Sequence, residues 1–392
     1  SPAEALVKAL PASVKFVTVL DRTKEPGANG ELLYHDTLGA LVCALQQGKI
    51  DRLPTISGGR YGLSSKEFTP AMVKAVYEQQ QQPAARRFFT IGIHDDVTHL
   101  SLDWDETWHI EPDNQVRALF FGLGADGTVG ANKNSIKIIG ELSEYHAQGY
   151  FVYDSKKSGS RTTSHLRFGP SPIDSPYLIS AANFIGCHQF NFIETLDLLT
   201  YAAPGATLLL NSPWGPDEVL HHLPAGVQQQ LRQKQVALYV INAAEVARAN
   251  GMGSRINTIM QTCFFALSKV MAKERAIALI KKSIEKSYLR KGQAVVDKNF
   301  AAVDAALANL HRVEIPPQTR SSAESGWHVS PEAPRFVREV TAEMLQDRGD
   351  RIPVSMIPSD GTWPTATSQW EKRDIALTIP QWREDLCIQC GN

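Results

Sequence analysis

Residues 118–130, ALFFGLGADGTVG, carry the clearest chemical signal in this chain. Gly122, Gly124 and Gly127 are spaced G-x-G-x-x-G. An apolar run that reads as a buried strand precedes them, and an amphipathic stretch with Ile136, Ile139 and Leu142 on one face follows. Strand, glycine turn and helix, in that order, make a cradle for a phosphate. Glycine lets the backbone come close to the anion, and the start of a helix offers unpaired N–H groups with a partial positive charge. Lys133 adds a full charge. The competing reading is a tight strand-to-helix turn whose glycines serve close packing alone. Asp126, a negative charge inside the loop, weighs against an anion held without help.

A second set of polar residues falls where the following strands end. Asp154, Lys156 and Lys157 come after a strand read at 150–153. A carboxylate there suits a ribose hydroxyl in a dinucleotide fold, while two lysines suit a further phosphate; the alternative is a solvated charged turn. Arg161, His165 and Arg167 continue this basic stretch as a loop that ends at Gly169-Pro170, with His165 either a structural hydrogen bonder or a ligand contact. Asn183, Asn211 and Asn242 follow the next three strands. Asp95-Asp96 ends an earlier strand and is read as a pair of loop carboxylates capping nearby N–H groups rather than as a metal site. Cys187-His188 is read as packing, and His221-His222 as surface, because adjacent helical residues do not share a face. No set of side chains reads as a catalytic constellation.

These residues need a scaffold that brings strand ends together. Strands at 14–20, 53–56 and 88–93 alternate with helical patterns at 34–47 and 70–79, the second opened by Thr69 and Pro70. Such alternation predicts a parallel α/β unit, with part of its sheet lying before this sequence. Residues 102–115 are polar and read as a linker. Strands at 118–123, 150–153, 177–182, 206–210 and 236–241 then predict a second, doubly wound unit with ligands at the C-terminal strand ends. Helices at 256–272, 274–289 and 299–310 follow, with Ile256, Ile259, Met260, Cys263, Phe264 and Leu267 as a packing stripe. Residues 313–375 read as a small, loop-rich connector. The fold class is therefore α/β, with two parallel-sheet, Rossmann-like units and a connector.

Composition sets outer limits. The chain has 392 residues, 43% hydrophobic and 21% charged, with a formal net charge of −1, which points to neither a nucleic-acid nor a membrane surface. Five cysteines, an odd number, fit a reducing compartment better than a disulfide scaffold, and the localisation expected is cytoplasmic. The sequence starts Ser1-Pro2-Ala3 and stops at Cys387-Ile388-Gln389-Cys390-Gly391-Asn392, and is read as an excised piece of a longer protein.

Several long stretches resemble one family. They are LDRTKEPGANGE (20–31), GGRYGLSSKEF (58–68), FTIGIHDDVTHLSL (89–102), FFGLGADGTVGANKNSIKIIGE (120–141), DSKKSGS (154–160), SHLRFGP (164–170), DGTWPTATSQWEKRDIA (360–376) and DLCIQC (385–390). Together they resemble the middle of the large, single-chain pyruvate:ferredoxin (or flavodoxin) oxidoreductases, over essentially the whole sequence. The resemblance implies four parts. Residues 1–105 match part of a transketolase C-terminal-like domain, 106–312 a gamma-type domain, 313–376 a connector with the Glu371-Lys372-Arg373 motif, and 377–392 the start of a 4Fe–4S ferredoxin-like domain. It implies oxidative decarboxylation of pyruvate on thiamine diphosphate with Mg, electron transfer through [4Fe–4S] clusters to ferredoxin or flavodoxin, and coenzyme A as acetyl acceptor. It also implies a homodimer, and the remaining domains of the same polypeptide as neighbours. Cys387 and Cys390 match the first two cysteines of a C-x2-C-x2-C-x3-C-P run, and two ligands do not hold such a cluster. The gamma-type domain resembles a lid over coenzyme A. That assigns Gly124, Ala125, Asp126, Gly127 and Thr128 to backbone and hydroxyl contacts, Lys156 and Lys157 to phosphate, and Lys133 and Asn183 to lesser contacts. Two other readings share these residues: an NADP-binding dehydrogenase domain, with Lys156 and Lys157 on the 2′-phosphate, and a scaffold that only orients its neighbours and docks a dimer.

Overall fold

A computed structural model describes residues 2–62, 66–154, 160–268, 270–318, 329–371 and 380–390. Its apolar runs pair into two sheets. β1 (Phe16–Asp21), β2 (Thr55–Tyr61), β3 (Phe88–Ile91) and β4 (Ser101–Leu102) lie in that order and are parallel throughout. Helices Leu32–Gln46 and Pro70–Gln80 connect them. The second starts where the sequence says it should: Pro70 supplies a preset φ, and the Thr69 hydroxyl accepts the Met72 N–H at 3.4 Å. Met72, Ala75 and Val76 from that helix close over Phe89 and Ile91.

The second sheet has seven strands: β5 (Val116–Leu123), β6 (His146–Tyr153), β7 (Arg161–Gly169), β8 (Ala182–Cys187), β9 (Ala202–Asn211), β10 (Ala237–Ile241) and β11 (His311–Val313). Their spatial order is β11-β10-β9-β8-β5-β7-β6. β5, β8, β9 and β10 form a parallel centre, while β7 on β5, β6 on β7 and β11 on β10 are antiparallel. The α/β class expected holds, but the unit is mixed rather than wholly parallel. Residues 161–169, read as a basic loop, are the inner strand of the β6–β7 hairpin, one in from the edge of the sheet. Their polar side chains disguised it: Thr162, Ser164, His165 and Arg167 are all buried. The charge of Arg167 is met by Glu111, at 2.8 Å, and Gln148 Oε1, at 3.3 Å. A buried strand of this composition holds only because its charge is paired on both flanks.

Another shift concerns β8. The strand expected at 177–182 lies at Ala182–Cys187, where Phe184 faces Phe120 and Phe264 in the core with ring centroids 5.7 and 5.0 Å away. Helices Thr128–Leu142, Asn257–Ser268, Lys273–Tyr288 and Gln293–Ala308 cover this face of the sheet. Phe192, Ile193, Leu199, Leu220 and Leu231 cover the other. Beyond β11, a helical turn over residues 337–345 and a run of short turns form the connector.

Candidate ligand-binding site at a strand switch

β5 and β8 are neighbours whose following helices leave on opposite faces. Helix Thr128–Leu142, with Ile138 and Ile139, packs into one core, and helix Phe190–Thr195, with Phe192 and Ile193, into the other. The chain therefore parts at the C-terminal ends of β5 and β8, a topological switch point. In open α/β sheets this is the place ligands bind.

The glycine turn stands at that switch point. Gly124, Ala125 and Gly127 are exposed. Gly124 donates its N–H to the Ser160 carbonyl at 2.8 Å, and a Cβ on it would meet Ser160 Oγ at 2.7 Å. Gly127 is the N-cap of the helix with φ +83°, a conformation that suits glycine, and a Cβ there would strike Asn257 Nδ2. The glycines thus serve close packing and the turn together.

Asp126 fills part of the anion's place with its own carboxylate. Oδ2 accepts the Leu123 N–H at 2.8 Å and Gln189 Nε2 at 3.3 Å, while Oδ1 accepts the Thr128 N–H at 2.9 Å. The N–H groups of Val129 and Gly130 belong to the first turn and have no acceptor within the helix. Those groups, and the exposed turn backbone, are what a ligand would meet.

Thr128 faces inward. It is fully buried, and its hydroxyl lies 2.8 Å from His188 Nδ1. It is therefore a brace of the turn, not an open hydroxyl. Burial pushes the His188 imidazole down to about 4, against the raising influence of Asp126, so the ring is neutral at ordinary pH. Asn211 ties the neighbouring strand ends together: its Nδ2 donates to the His188 carbonyl and its Oδ1 accepts the Ala243 N–H, each at 3.0 Å. Among the described residues, His188 Nε2, Asn257 Oδ1 and Asn132 Nδ2 are buried without a partner. Three orphaned polar atoms this close to one turn are unusual, because an unmet buried group costs about 1–3 kcal/mol.

The other sequence-predicted residues scatter. Asn183 is not at this edge; with β8 at Ala182–Cys187 it sits at the opposite end of the sheet. There its Oδ1 accepts the Arg117 N–H and its Nδ2 donates to the Gln115 carbonyl, each at 2.8 Å, a structural role. Lys133 is exposed in the second turn of its helix, with Nζ 5.4 Å from the Phe151 ring centre. Lys156 and Lys157 lie outside the described residues. Their flanks are at the hairpin root: Asp154 donates its N–H to the Arg161 carbonyl at 3.0 Å, and Ser160 touches Gly124. His165 accepts the Ile179 N–H through Nδ1 at 3.1 Å and is driven down to about 4 by burial and by Arg167. The Cys187 thiol is pushed up to about 12 by burial and donates to the Gln189 carbonyl. Asp95 and Asp96 cap N–H groups as expected: Asp95 accepts from Val97, Thr98 and Leu100, and Asp96 from Ser355.

Cys387 and Cys390 are both exposed. Hydrogen bonds from the Trp382 side chain and the Gln389 N–H hold the Cys387 thiol below its ordinary range, which favours the thiolate that ligates metals. No group of three metal-ligating side chains occurs among the described residues. The described thiols therefore do not by themselves fit a [4Fe–4S] cluster. Gln189 and Asn257 escaped sequence reasoning. Asn257 opens a helix one turn after a glycine-rich loop, but nothing local ties it to a turn 130 positions earlier in the chain, as its contact with Gly127 does.

Comparison with known proteins narrows the reading. Residues 117–309 match the sequence model described as pyruvate ferredoxin/flavodoxin oxidoreductase, and residues 323–376 match one described as a domain of unknown function. The chain is 58% identical over 392 residues to the pyruvate-flavodoxin oxidoreductase of Rhodospirillum rubrum, covering 99% of this chain and 33% of that protein. It is 47% identical to the pyruvate:ferredoxin oxidoreductase of Moorella thermoacetica, covering 99% of this chain and 33% of that protein. The chain thus spans about a third of the length of the curated relatives it matches. Subunit PORC of a pyruvate oxidoreductase from Thermotoga maritima aligns with 51% of this chain and 99% of its own, at 15% identity and a TM-score of 0.42.

Proposed function

Because this chain belongs to the pyruvate ferredoxin/flavodoxin oxidoreductase family, we propose that it is an internal part of such an enzyme and that its second α/β unit is the part facing coenzyme A. The whole enzyme would decarboxylate pyruvate oxidatively, pass electrons to ferredoxin or flavodoxin, and hand the acetyl group to coenzyme A. Thiamine diphosphate with Mg and the complete [4Fe–4S] clusters would be held by the rest of the polypeptide, in a cytoplasmic homodimer. Cys387 and Cys390 would be two ligands of a cluster whose others lie outside the described residues. No residue here is assigned a catalytic role.

The observation that carries this reading is the exposed glycine turn at the parting of β5 and β8, with Ser160, just before β7, against Gly124. Coenzyme A brings a pyrophosphate and a ribose phosphate. Backbone N–H groups of Val129 and Gly130 suit the first, and the two lysines suit the second. Asp126 restricts the approach to the exposed side of the turn, because its carboxylate already caps Leu123 and Thr128. Thr128 and His188 hold the turn's shape from beneath.

In the full-length enzyme, Lys156→Ala with Lys157→Ala is expected to raise the coenzyme A KM by about 5- to 150-fold, the span of one or two charge-assisted phosphate contacts. Pyruvate decarboxylation is spared. An unchanged KM removes the lysines from the site. Calorimetry with coenzyme A and, separately, with NADP distinguishes this reading from a dinucleotide-binding one.

A further inference from the structure

The C-terminal edge of the first sheet, where an α/β unit would ordinarily take a ligand, is occupied by the connector. Ser355 donates its N–H to Asp96 Oδ1 at 3.0 Å, and its hydroxyl donates to Asp96 Oδ2. Val354 donates its N–H to the His94 carbonyl at 2.9 Å, and His94 Nδ1 lies 3.3 Å from the Arg351 carbonyl. Lys66 donates to the carbonyls of Gly92 and Asp350, at 3.1 and 3.3 Å, and pairs with the Asp350 carboxylate at 3.7 Å. The same short segment grips the second unit. Asp347 pairs with Arg161 at 2.5 Å. Residues Gln346, Asp347, Arg348, Asp350 and Arg351 face Leu196, Leu198 and Tyr201 across a cavity of about 70 Å³.

The segment is built to hold one shape. Asp347 has φ +61°, a backbone state that asparagine and aspartate tolerate best among residues with a side chain. Arg348 forks onto Glu343 at 2.8 and 2.6 Å, which fixes the loop to the preceding helical turn. Arg161 is the first residue of β7, and the carbonyl of its neighbour Ser160 receives the Gly124 N–H. Contacts therefore run from Asp96 through the 347–355 segment to Arg161, Ser160 and the glycine turn.

We propose that residues 347–355, within the stretch matching a domain of unknown function, are a staple that fixes the two α/β units against each other and, through Arg161, holds the β6–β7 hairpin root against the glycine turn. This assigns the connector an orienting role independent of which ligand the turn binds. The partner surfaces are His94 and Asp96 on one unit and Arg161 on the other.

Amide hydrogen exchange on the full chain tests it with two variants. Asp347→Asn keeps the left-handed backbone and removes the charge that Arg161 meets. Asp96→Asn with Ser355→Ala cuts the staple at its other end. Because the staple acts as one piece, each variant is expected to speed exchange at both ends, at the Gly124 amide and at the Val354 amide, by about three-fold, the scale of a part-exposed ion pair. The decisive result is the crossed one. A change confined to the mutated end, or none, overturns the proposal. The Ile185 amide of β8, which must stay protected, reports the fold; if Asp96→Asn with Ser355→Ala disturbs it, Lys66→Gln loosens the same end with a smaller change and is read by the same crossed criterion.

Discussion

The two parallel-strand edges of this chain share a topology and are used in opposite ways. At the first, the loop carboxylates are consumed internally: Asp95 caps its own loop, Asp96 binds Ser355, and His94 binds the connector backbone. At the second, the turn backbone stays exposed, and His188, Asn257 and Asn132 beneath it keep buried polar atoms without partners. A strand edge is thus a place where a site can be built, and unmet polar groups, more than topology, single out the second edge as the candidate.

The difference in burial gives the largest expected effect. The second unit holds two buried neutral imidazoles, His165 and His188, both near 4, while His35, His94 and His99 of the first unit are exposed. A base whose folded value lies below its unfolded value takes its proton mainly in the unfolded chain. Stability is then full above about 6.5 and falls as pH drops toward 4, with a total on the order of a few kcal/mol for the pair. Asp95 shifts in the other window. Desolvation pushes its carboxyl up, but hydrogen bonds from Thr98, Leu100 and Val97 outweigh this and hold it well below the ordinary range. Its contribution is full above about 3.8 and is lost only below it. At pH 4.5, amides of β5 and β8 should lose protection while β2 and β3 keep theirs. Simultaneous loss in both sheets breaks the comparison.

Backbone strain sharpens it next. Gly127 and Gly92 both have positive φ, +83° and +69°; Gly127 caps the helix after β5, and Gly92 directly follows β3. A methyl at Gly127 strikes the Asn257 side chain, whereas one at Gly92 meets the flexible end of Met72 at 3.0 Å. Gly127→Ala should cost about 2–4 kcal/mol and Gly92→Ala about 1–2 kcal/mol in chemical denaturation, since the left-handed penalty is common and the clash is not. Equal costs would mean that Asn257 moves freely.

Much of this architecture was legible in the residues. The helix opened by Thr69-Pro70 and the strand leading into Gly122 lie where local rules put them, within a few residues. β7 was not legible, because period and polarity mislead when buried positions carry Thr162, Ser164, His165 and Arg167, whose partners come from Glu111 and Gln148. Asn183 moved with the register of β8. Pairing of Phe184 with Ala118 and of Cys187 with Phe121 sets that register, and no local propensity encodes it. Of the candidate site, the turn itself was visible. The side chains beneath it, His188 and Asn257, arrive from 60 and 130 positions away along the chain, since their partners are Thr128 and Gly127.

The smallest expected effect separates the two edges by sign. Asp95 and Asp126 both cap backbone N–H groups of their own loops, and each Asp→Asn change leaves one good acceptor and weakens the rest, a loss of about 1 kcal/mol of stability in either case. Only Asp126 also stands where an anion would approach. Removing its charge takes away a repulsion at the first turn of helix Thr128–Leu142, so Asp126→Asn should bind coenzyme A or inorganic pyrophosphate several-fold more tightly while melting earlier. Asp95→Asn should melt earlier with binding unchanged. If Asp126→Asn weakens anion binding instead, its carboxylate shapes the turn more than it repels the ligand. The open edge would then owe its ligand to geometry held by Asp126 rather than to the charge of the helix start.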